Sequence, residues 1–321
     1  MKVAVLDDYQ GAVETLDCFS KLADHDVTIY RDSIADVAAL AARLEHVEAL
    51  VLIRERTRMP MELLEQLPAL RLIAQTGRGT PHIDLDACTA LGIAVSTGEG
   101  SPVAPAELTW ALILAAARHV PAEVAATRGG QWQTSLGWEL AGKTLGIYGF
   151  GSIGELVAGY GRVFGMNVLV TGRQGSLERA QAAGYETTDR ATLFREPDVL
   201  SLHLKLTDET RGIVTAADLD SMKPTALLVN TARAALVAPG ALVEALRRGR
   251  PGRAGVDVFD IEPLTADDPL PRLDNVVATP HLGYVTRESY ELYFGQAFDQ
   301  VNAFAAGTPT GVVNPASLGR S

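Results

Sequence analysis

The stretch KTLGIYGFGSIGELVAGYGRVFGMNVLVTG, residues 143–172, admits few folds. Residues 145–148 have strand character, 153–164 carry helical spacing of apolar residues, and 168–171 are apolar and rich in β-branched side chains again. A strand, a tight turn and a helix that leads to a second strand within roughly 30 residues is a βαβ unit, and such a unit makes a parallel sheet. Between the first strand and the helix stand Gly149, Gly151 and Gly154, in the pattern G-x-G-x-x-G. In that setting Gly149 permits the turn, Gly151 lets the backbone approach a pyrophosphate, and Gly154 lets the helix lie close on the strand. Ser152 and Ile153 open the helix, whose first N–H groups and partial positive charge would face the phosphates. The stretch therefore reads as a dinucleotide site; the competing reading is a glycine-rich turn without a ligand.

An acidic residue is expected near the end of the second strand, where it would hold the adenosine ribose hydroxyls of NAD and repel a 2′-phosphate. The chain has Gly172, Arg173 and Gln174 there. Gly172 removes the repulsion, and Arg173 offers a planar cation with forked donors suited to phosphate. This favours NADP(H) over NAD(H). The alternative is that Arg173 points into solvent and either cofactor is accepted.

The alternation of strand and helix continues through the chain. Short apolar runs at 3–6, 27–30, 50–53, 70–74 and 93–96, with helical patterns at 34–44 and 61–67, make one small α/β domain ahead of the glycine motif. An apolar helix is expected over 106–119, then an irregular stretch in which Trp132 and Trp138 either pack on their own domain or meet another copy. Strands at 145–149, 168–171, 199–204, 227–231, 255–259 and 276–279 form a second parallel sheet, and a last helix over 286–306 would return to the first domain.

Composition narrows the function classes. The longest apolar run, 110–117, is far short of the roughly 20 residues that span a bilayer. Asp7 and Asp8 interrupt the N-terminal run before a secretory signal could form. No membrane partner is expected, and a cytoplasmic location is. Only Cys18 and Cys88 occur, so neither a disulfide framework nor a metal site is expected. The net charge of −11 disfavours nucleic acid as a partner.

Three strands of the second series lead to polar residues that share one edge of a doubly wound sheet. The strand at 227–231 leads to Arg233, that at 255–259 carries Asp257 and leads to Glu262, and that at 276–279 leads to His281. Ligands bind outside the carboxyl ends of such strands, so these side chains can converge on the nicotinamide end of a cofactor. Reducing a 2-keto acid needs a hydride at C2 and a proton at the carbonyl oxygen. An imidazole suits the proton, a neighbouring carboxylate favours its charged form, and an arginine pairs with the substrate carboxylate and polarises the carbonyl. In the first domain, Gly77 and Gly79 let the chain turn so that the N–H groups of Arg78 and Gly79 face an anion. Arg54 and Arg56 follow a strand end; they either read a second acidic group on the substrate or form a solvated cluster with Glu55.

The strings TGRGTPHIDLD, AELTWALIL, GFGSIG, HLKLTDETRGI, VNTARAALV, GVDVFDIEPL and TPHLGYV, in this order, resemble the D-isomer-specific 2-hydroxyacid dehydrogenase family over nearly the whole chain. The resemblance implies two doubly wound parallel-sheet α/β domains with an interdomain cleft: a flavodoxin-like substrate domain over 1–102 and 285–321, and a Rossmann NAD(P)-binding domain over 103–284. It implies a homodimer, and it implies that Arg233 binds substrate, Glu262 partners the histidine, His281 is the acid/base and Asp257 lies near the nicotinamide carboxamide. His203, Thr210, Thr231 and Gly283 would join Gly149, Gly151, Ser152, Ile153, Gly154 and Arg173 in holding the cofactor, and Gly77, Arg78 and Gly79, with Arg54, would take the substrate. The activity implied is reversible hydride transfer between NAD(P)(H) and C2 of a small anionic 2-keto or 2-hydroxy acid, of glyoxylate or hydroxypyruvate type. A phosphoglycerate dehydrogenase is the alternative within the family, and a dinucleotide-sensing protein similar to the dehydrogenase-like corepressors is the alternative outside catalysis. Three residues depart from the family pattern: Ala234 in place of glycine, Lys205 in place of proline, and Gly172-Arg173 in place of the acid. The first would shift the Arg233 backbone if that position needs positive φ.

Overall fold

Ala49–Leu52, Val199–Leu202 and Leu227–Asn230 show none of the alternation of a half-solvated strand, and each is buried throughout. That is the state of parallel strands covered by helices on both faces. The computed structural model, which describes residues 1–319, builds two such sheets.

The first belongs to the unit formed by Met1–Ser101 and Thr286–Ser321. Its strands are β1 (Lys2–Val5), β2 (Asp26–Ile29), β3 (Ala49–Leu52), β4 (Leu72–Gln75) and β5 (Ala94–Thr97), all parallel, in the order β2-β1-β3-β4-β5. This is the flavodoxin-like order, with its switch point between β1 and β3. One core cluster gathers Leu40, Leu44, Leu63 and Ile73. The helix Arg287–Ala305 is N-capped by Thr286, whose hydroxyl accepts from Ser289 N at 3.2 Å, and it buries Phe294 and Phe298. Beyond it, Asn314 ties the chain to β5 by accepting from Val95 N at 2.8 Å and donating to Ile93 O at 2.9 Å.

The second unit, Pro102–Val285, holds β6 (Thr144–Tyr148), β7 (Asn167–Thr171), β8 (Glu186–Thr187), β9 (Val199–Leu202), β10 (Leu227–Asn230), β11 (Arg253–Val256) and β12 (Val276–Ala278). They run parallel in the order β12-β11-β10-β9-β6-β7-β8, which is the Rossmann order extended by one strand. The switch point lies between β6 and β9. One core cluster includes Trp110, Ile113 and Val157; another includes Leu202, Leu228 and Phe259. Trp110 stacks on Phe164 at 4.5 Å between ring centroids and donates from Nε1 to Val157 O at 3.1 Å.

Three local expectations are corrected. Residues expected to be irregular after 119 include the helix Val120–Arg128, which buries no residue. Its apolar side chains, Val120 and Val124 among them, stay exposed, and the nine residues carry too little amphipathic contrast to be read as a helix from the sequence. The second is Trp132, which is 79% exposed and so does not pack on its own unit, whereas Trp138 packs against the core with Lys143 at 5.7 Å over its ring. Strand β8 and the helix Gln174–Ala182 ahead of it were not anticipated; the helix buries only Ala180, and two residues are too few for a strand pattern.

Candidate active site

The turn after β6 is closed by contacts that exclude side chains. Gly149 has φ +97° and donates to Thr171 O at 2.7 Å, and a Cβ there would lie 2.7 Å from His203 O. A Cβ on Gly154 would lie 2.2 Å from Gly149 O. Gly151 differs, because a Cβ there would meet nothing within 4 Å. Its bareness answers no crowding in the chain and leaves room for a ligand at the backbone. Gly151 is also the N-cap of the helix Ser152–Val163, which has no side-chain cap, so the first N–H groups remain available to an anion. Ser152 is exposed at this terminus, and Ile153 packs against the core. These residues fit the pyrophosphate of a dinucleotide.

His203 supports that loop. Its ring Nε2 meets Ser201 Oγ at 2.8 Å, and burial pushes its pKa down to about 4, so the imidazole is neutral at pH 7. Thr210 is buried and turned inward, donating to Lys205 O at 2.7 Å and accepting from Thr207 N at 2.8 Å. Thr231 is likewise occupied within the unit, 2.7 Å from Thr109 Oγ1. Lys205 is exposed. At the end of β7, Arg173 forms an ion pair with Glu209 at 2.7 Å, with 66% and 81% of the two side chains exposed.

On the far side of the switch point, the structure brings four of the expected residues together. His281 Nδ1 lies 2.5 Å from Glu262 Oε2, and Glu262 Oε1 accepts from Phe259 N at 2.9 Å. The carboxylate is thus held by backbone on one oxygen and offered to the imidazole on the other. His281 has φ +53°, a conformation that a side chain rarely adopts and that surrounding contacts must impose. Asp257, fully buried just past β11, imposes it: Oδ1 accepts from Thr279 Oγ1 at 2.6 Å and Leu282 N at 2.7 Å, and Oδ2 accepts from Gly283 N at 2.8 Å. Burial raises the Asp257 pKa, and the hydrogen bonds from Thr279, Leu282 and Gly283 oppose that rise. The Tyr284 ring packs on that of His281 in a T-shaped arrangement, with centroids 5.4 Å apart.

Arg233 leaves the sheet beside this loop, since Asp257 N donates to Asn230 O at 3.0 Å. Asn230 shapes the turn, donating to Arg233 O at 2.9 Å and accepting from Ala232 N at 3.1 Å. Arg233 has extended backbone (φ −151°) and its Nη1 donates to Ala232 O at 2.7 Å. Ala234 starts a 3-10 turn without positive φ, so the missing glycine strains nothing there.

In the first unit, Arg54 has φ +54°; its N donates to Thr76 Oγ1 at 2.8 Å, its Nη1 donates to Thr76 O at 3.2 Å, and its guanidinium lies 5.4 Å from the centre of the Tyr293 ring. Gly77 makes space for it, since a Cβ there would lie 1.9 Å from Arg54 Nη1. Arg56 instead donates to Asp7 O at 2.6 Å and lies over Tyr9. Arg78 pairs with Glu99 at 2.7 Å, and Gly79 faces Glu55. Sequence reasoning missed Thr279, Glu209, Thr76 and Tyr293, whose roles depend on partners far along the chain or on backbone atoms.

The family model for the NAD binding domain of D-isomer specific 2-hydroxyacid dehydrogenases matches residues 110–283. The chain is 44% identical over 268 residues to a glyoxylate reductase of Aeropyrum pernix, covering 80% of each. It belongs to the D-isomer specific 2-hydroxyacid dehydrogenases. A D-3-phosphoglycerate dehydrogenase of Archaeoglobus fulgidus is 37% identical over 242 residues, 74% of this chain and 46% of that one. Among solved structures, a phosphoglycerate oxidoreductase of Vibrio cholerae matches with a TM-score of 0.94 at 50% identity, covering 96% of this chain and 99% of that one. A D-lactate dehydrogenase of Aquifex aeolicus, complexed with NAD and lactic acid, matches with a TM-score of 0.78 at 31% identity over 97% and 99%. The chain is therefore an oxidoreductase of this dehydrogenase family with a nicotinamide dinucleotide-binding domain. Among the described residues, no group of three or more His, Cys, Asp and Glu side chains is placed to hold a metal ion, and no helix is long and apolar enough to cross a membrane.

Proposed function

We propose that the protein reduces small 2-keto acids of the glyoxylate or hydroxypyruvate type to D-2-hydroxy acids with NAD(P)H. The observation that carries this reading is the His281–Glu262 pair on a loop anchored by buried Asp257, at the same sheet edge as the glycine turn. Bound nicotinamide would supply the hydride. With Glu262 accepting a hydrogen bond from Nδ1–H, Nε2 is the nitrogen left to protonate the carbonyl oxygen as the hydride reaches C2. Arg233 pairs with the substrate carboxylate and orients C2. Arg54 and the backbone of Gly77, Arg78 and Gly79 are read as further substrate contacts. Gly172 and Arg173 tilt the cofactor preference toward NADP(H). Purified protein tested with glyoxylate, hydroxypyruvate, pyruvate and 3-phosphohydroxypyruvate should oxidise NADPH or NADH with the first two best; oxidation with none of the four would overturn the proposal.

A second copy of the chain is the expected partner. Glu123 accepts from Thr134 Oγ1 at 2.8 Å and Ser135 Oγ at 2.6 Å, fixing an arm that leaves Trp132 79% and Leu136 95% exposed. Large apolar side chains held out on a fixed arm support contact with a second copy. Light scattering should give twice the chain mass, and Trp132→Ser with Leu136→Ser should halve it.

A further inference from the structure

The end of β7 lacks an acid of its own, but one from another strand's loop stands beside its Arg173. Glu209 lies 36 residues after Arg173 and meets its Nη2 at 2.7 Å. Its position is built by the turn that carries it. Thr210 Oγ1 donates to Lys205 O at 2.7 Å and accepts from Thr207 N at 2.8 Å, while Thr210 N and Arg211 N donate to Thr207 O at 3.1 and 2.9 Å. The turn is closed on itself through buried Thr210, and Glu209 projects from it into solvent next to Arg173. On the opposite side, a Cβ on Gly172 would lie 3.5 Å from the Gly149 Cα, so the strand end that bears Arg173 abuts the glycine turn.

Resting on the dinucleotide reading above, we infer that Glu209 is a specificity-determining residue: it holds the Arg173 guanidinium when no 2′-phosphate is present, and a 2′-phosphate must displace it to reach that cation. The argument is one of charge. Arg173 alone would offer one unpaired cation to the phosphate, with its forked donors free. Paired with Glu209, it presents a locally neutral ion pair, and the carboxylate repels the incoming dianion. A cofactor lacking the 2′-phosphate meets neither effect. Glu209 thus keeps NAD(H) competitive at a site whose strand end lacks the usual acid. Both side chains are largely exposed, so solvent and salt screen the effect and limit it to a few-fold.

The test uses 2′,5′-ADP and 5′-ADP as probes, with Kd measured by calorimetry on the full chain and on Glu209→Gln, Arg173→Ala and the double variant. Neither probe requires turnover, so the outcome is independent of which keto acid is reduced. Glu209→Gln should tighten 2′,5′-ADP about fivefold and leave 5′-ADP within about twofold, while in the Arg173→Ala background the same change should move neither by more than about twofold. Equal tightening of both probes, or persistence of the fivefold gain without Arg173, would overturn the inference and leave the dinucleotide reading intact. Failure of both probes to bind the unaltered protein would overturn the two together.

Discussion

Two contacts between a carboxylate and a basic side chain in the second unit have nearly the same length and very different surroundings. His281 and Glu262 meet at 2.5 Å with 25% and 35% of their side chains exposed; Arg173 and Glu209 meet at 2.7 Å with 66% and 81% exposed. The first is braced from behind. Glu262 is held by Phe259 N, and the backbone of the His281 loop is held by three donors converging on a fully buried Asp257. The second stands at the tip of a turn in solvent. Similar distances therefore carry unequal consequences: on the proposed function the braced contact would fix a proton donor for chemistry, and the exposed one would bias a choice between two similar ligands by a few-fold.

The largest effect should come from removing the braced imidazole. His281→Ala should lower turnover by about a hundred- to ten-thousand-fold, read in a steady-state reductase assay, while the Kd for NADH measured by fluorescence stays within about threefold. A protein that only senses dinucleotides would have no turnover to lose. Next comes the brace itself. Asp257→Ala strands Thr279 Oγ1, Leu282 N and Gly283 N without their acceptor, and should cost about 2–4 kcal/mol in urea unfolding while weakening turnover through the displaced loop.

Acid should act on stability through two other histidines. Burial pushes His82 and His203 down to about 4 from an ordinary 6.5, so the unfolded chain takes up their protons first as pH falls. Stability is complete above pH 6.5 and is lost progressively between 6.5 and 4. By pH 5 the loss should be about 1–2 kcal/mol per histidine. Thermal unfolding at pH 7 and pH 5 measures it, and His82→Leu should flatten the dependence. The smallest effect concerns the departure after Arg233. Because Ala234 has no positive φ, Ala234→Gly should change kcat/KM by less than about threefold; a larger gain would show that Arg233 is misplaced.

The same contrast separates what could be read from the sequence from what could not. The glycine turn was legible from its G-x-G-x-x-G spacing between a strand and a helix, and the structure adds that Gly149 and Gly154 answer crowding within the chain whereas Gly151 faces open space. Arg233, Glu262 and His281 were legible as an ordered set on one sheet edge, and the family strings around them named the set. Asp257 was anticipated near the nicotinamide, but its grip on the His281 loop was not, since two of its three partners are backbone N–H groups that any residue could supply. Glu209 was hidden for another reason. Its pairing with Arg173 joins two loops after different strands, and no periodicity links them. The helix Val120–Arg128 escaped because none of its residues is buried in the chain itself.

The most direct test of the braced pair as one chemical device is a double-mutant cycle on kcat for glyoxylate reduction, using His281→Ala, Glu262→Gln and the two combined. If Glu262 acts only through His281, the double variant should be no slower than His281→Ala within about threefold, although Glu262→Gln alone should lose about tenfold or more. Losses that multiply, with the double variant slower than His281→Ala by the full Glu262→Gln factor, would contradict the account.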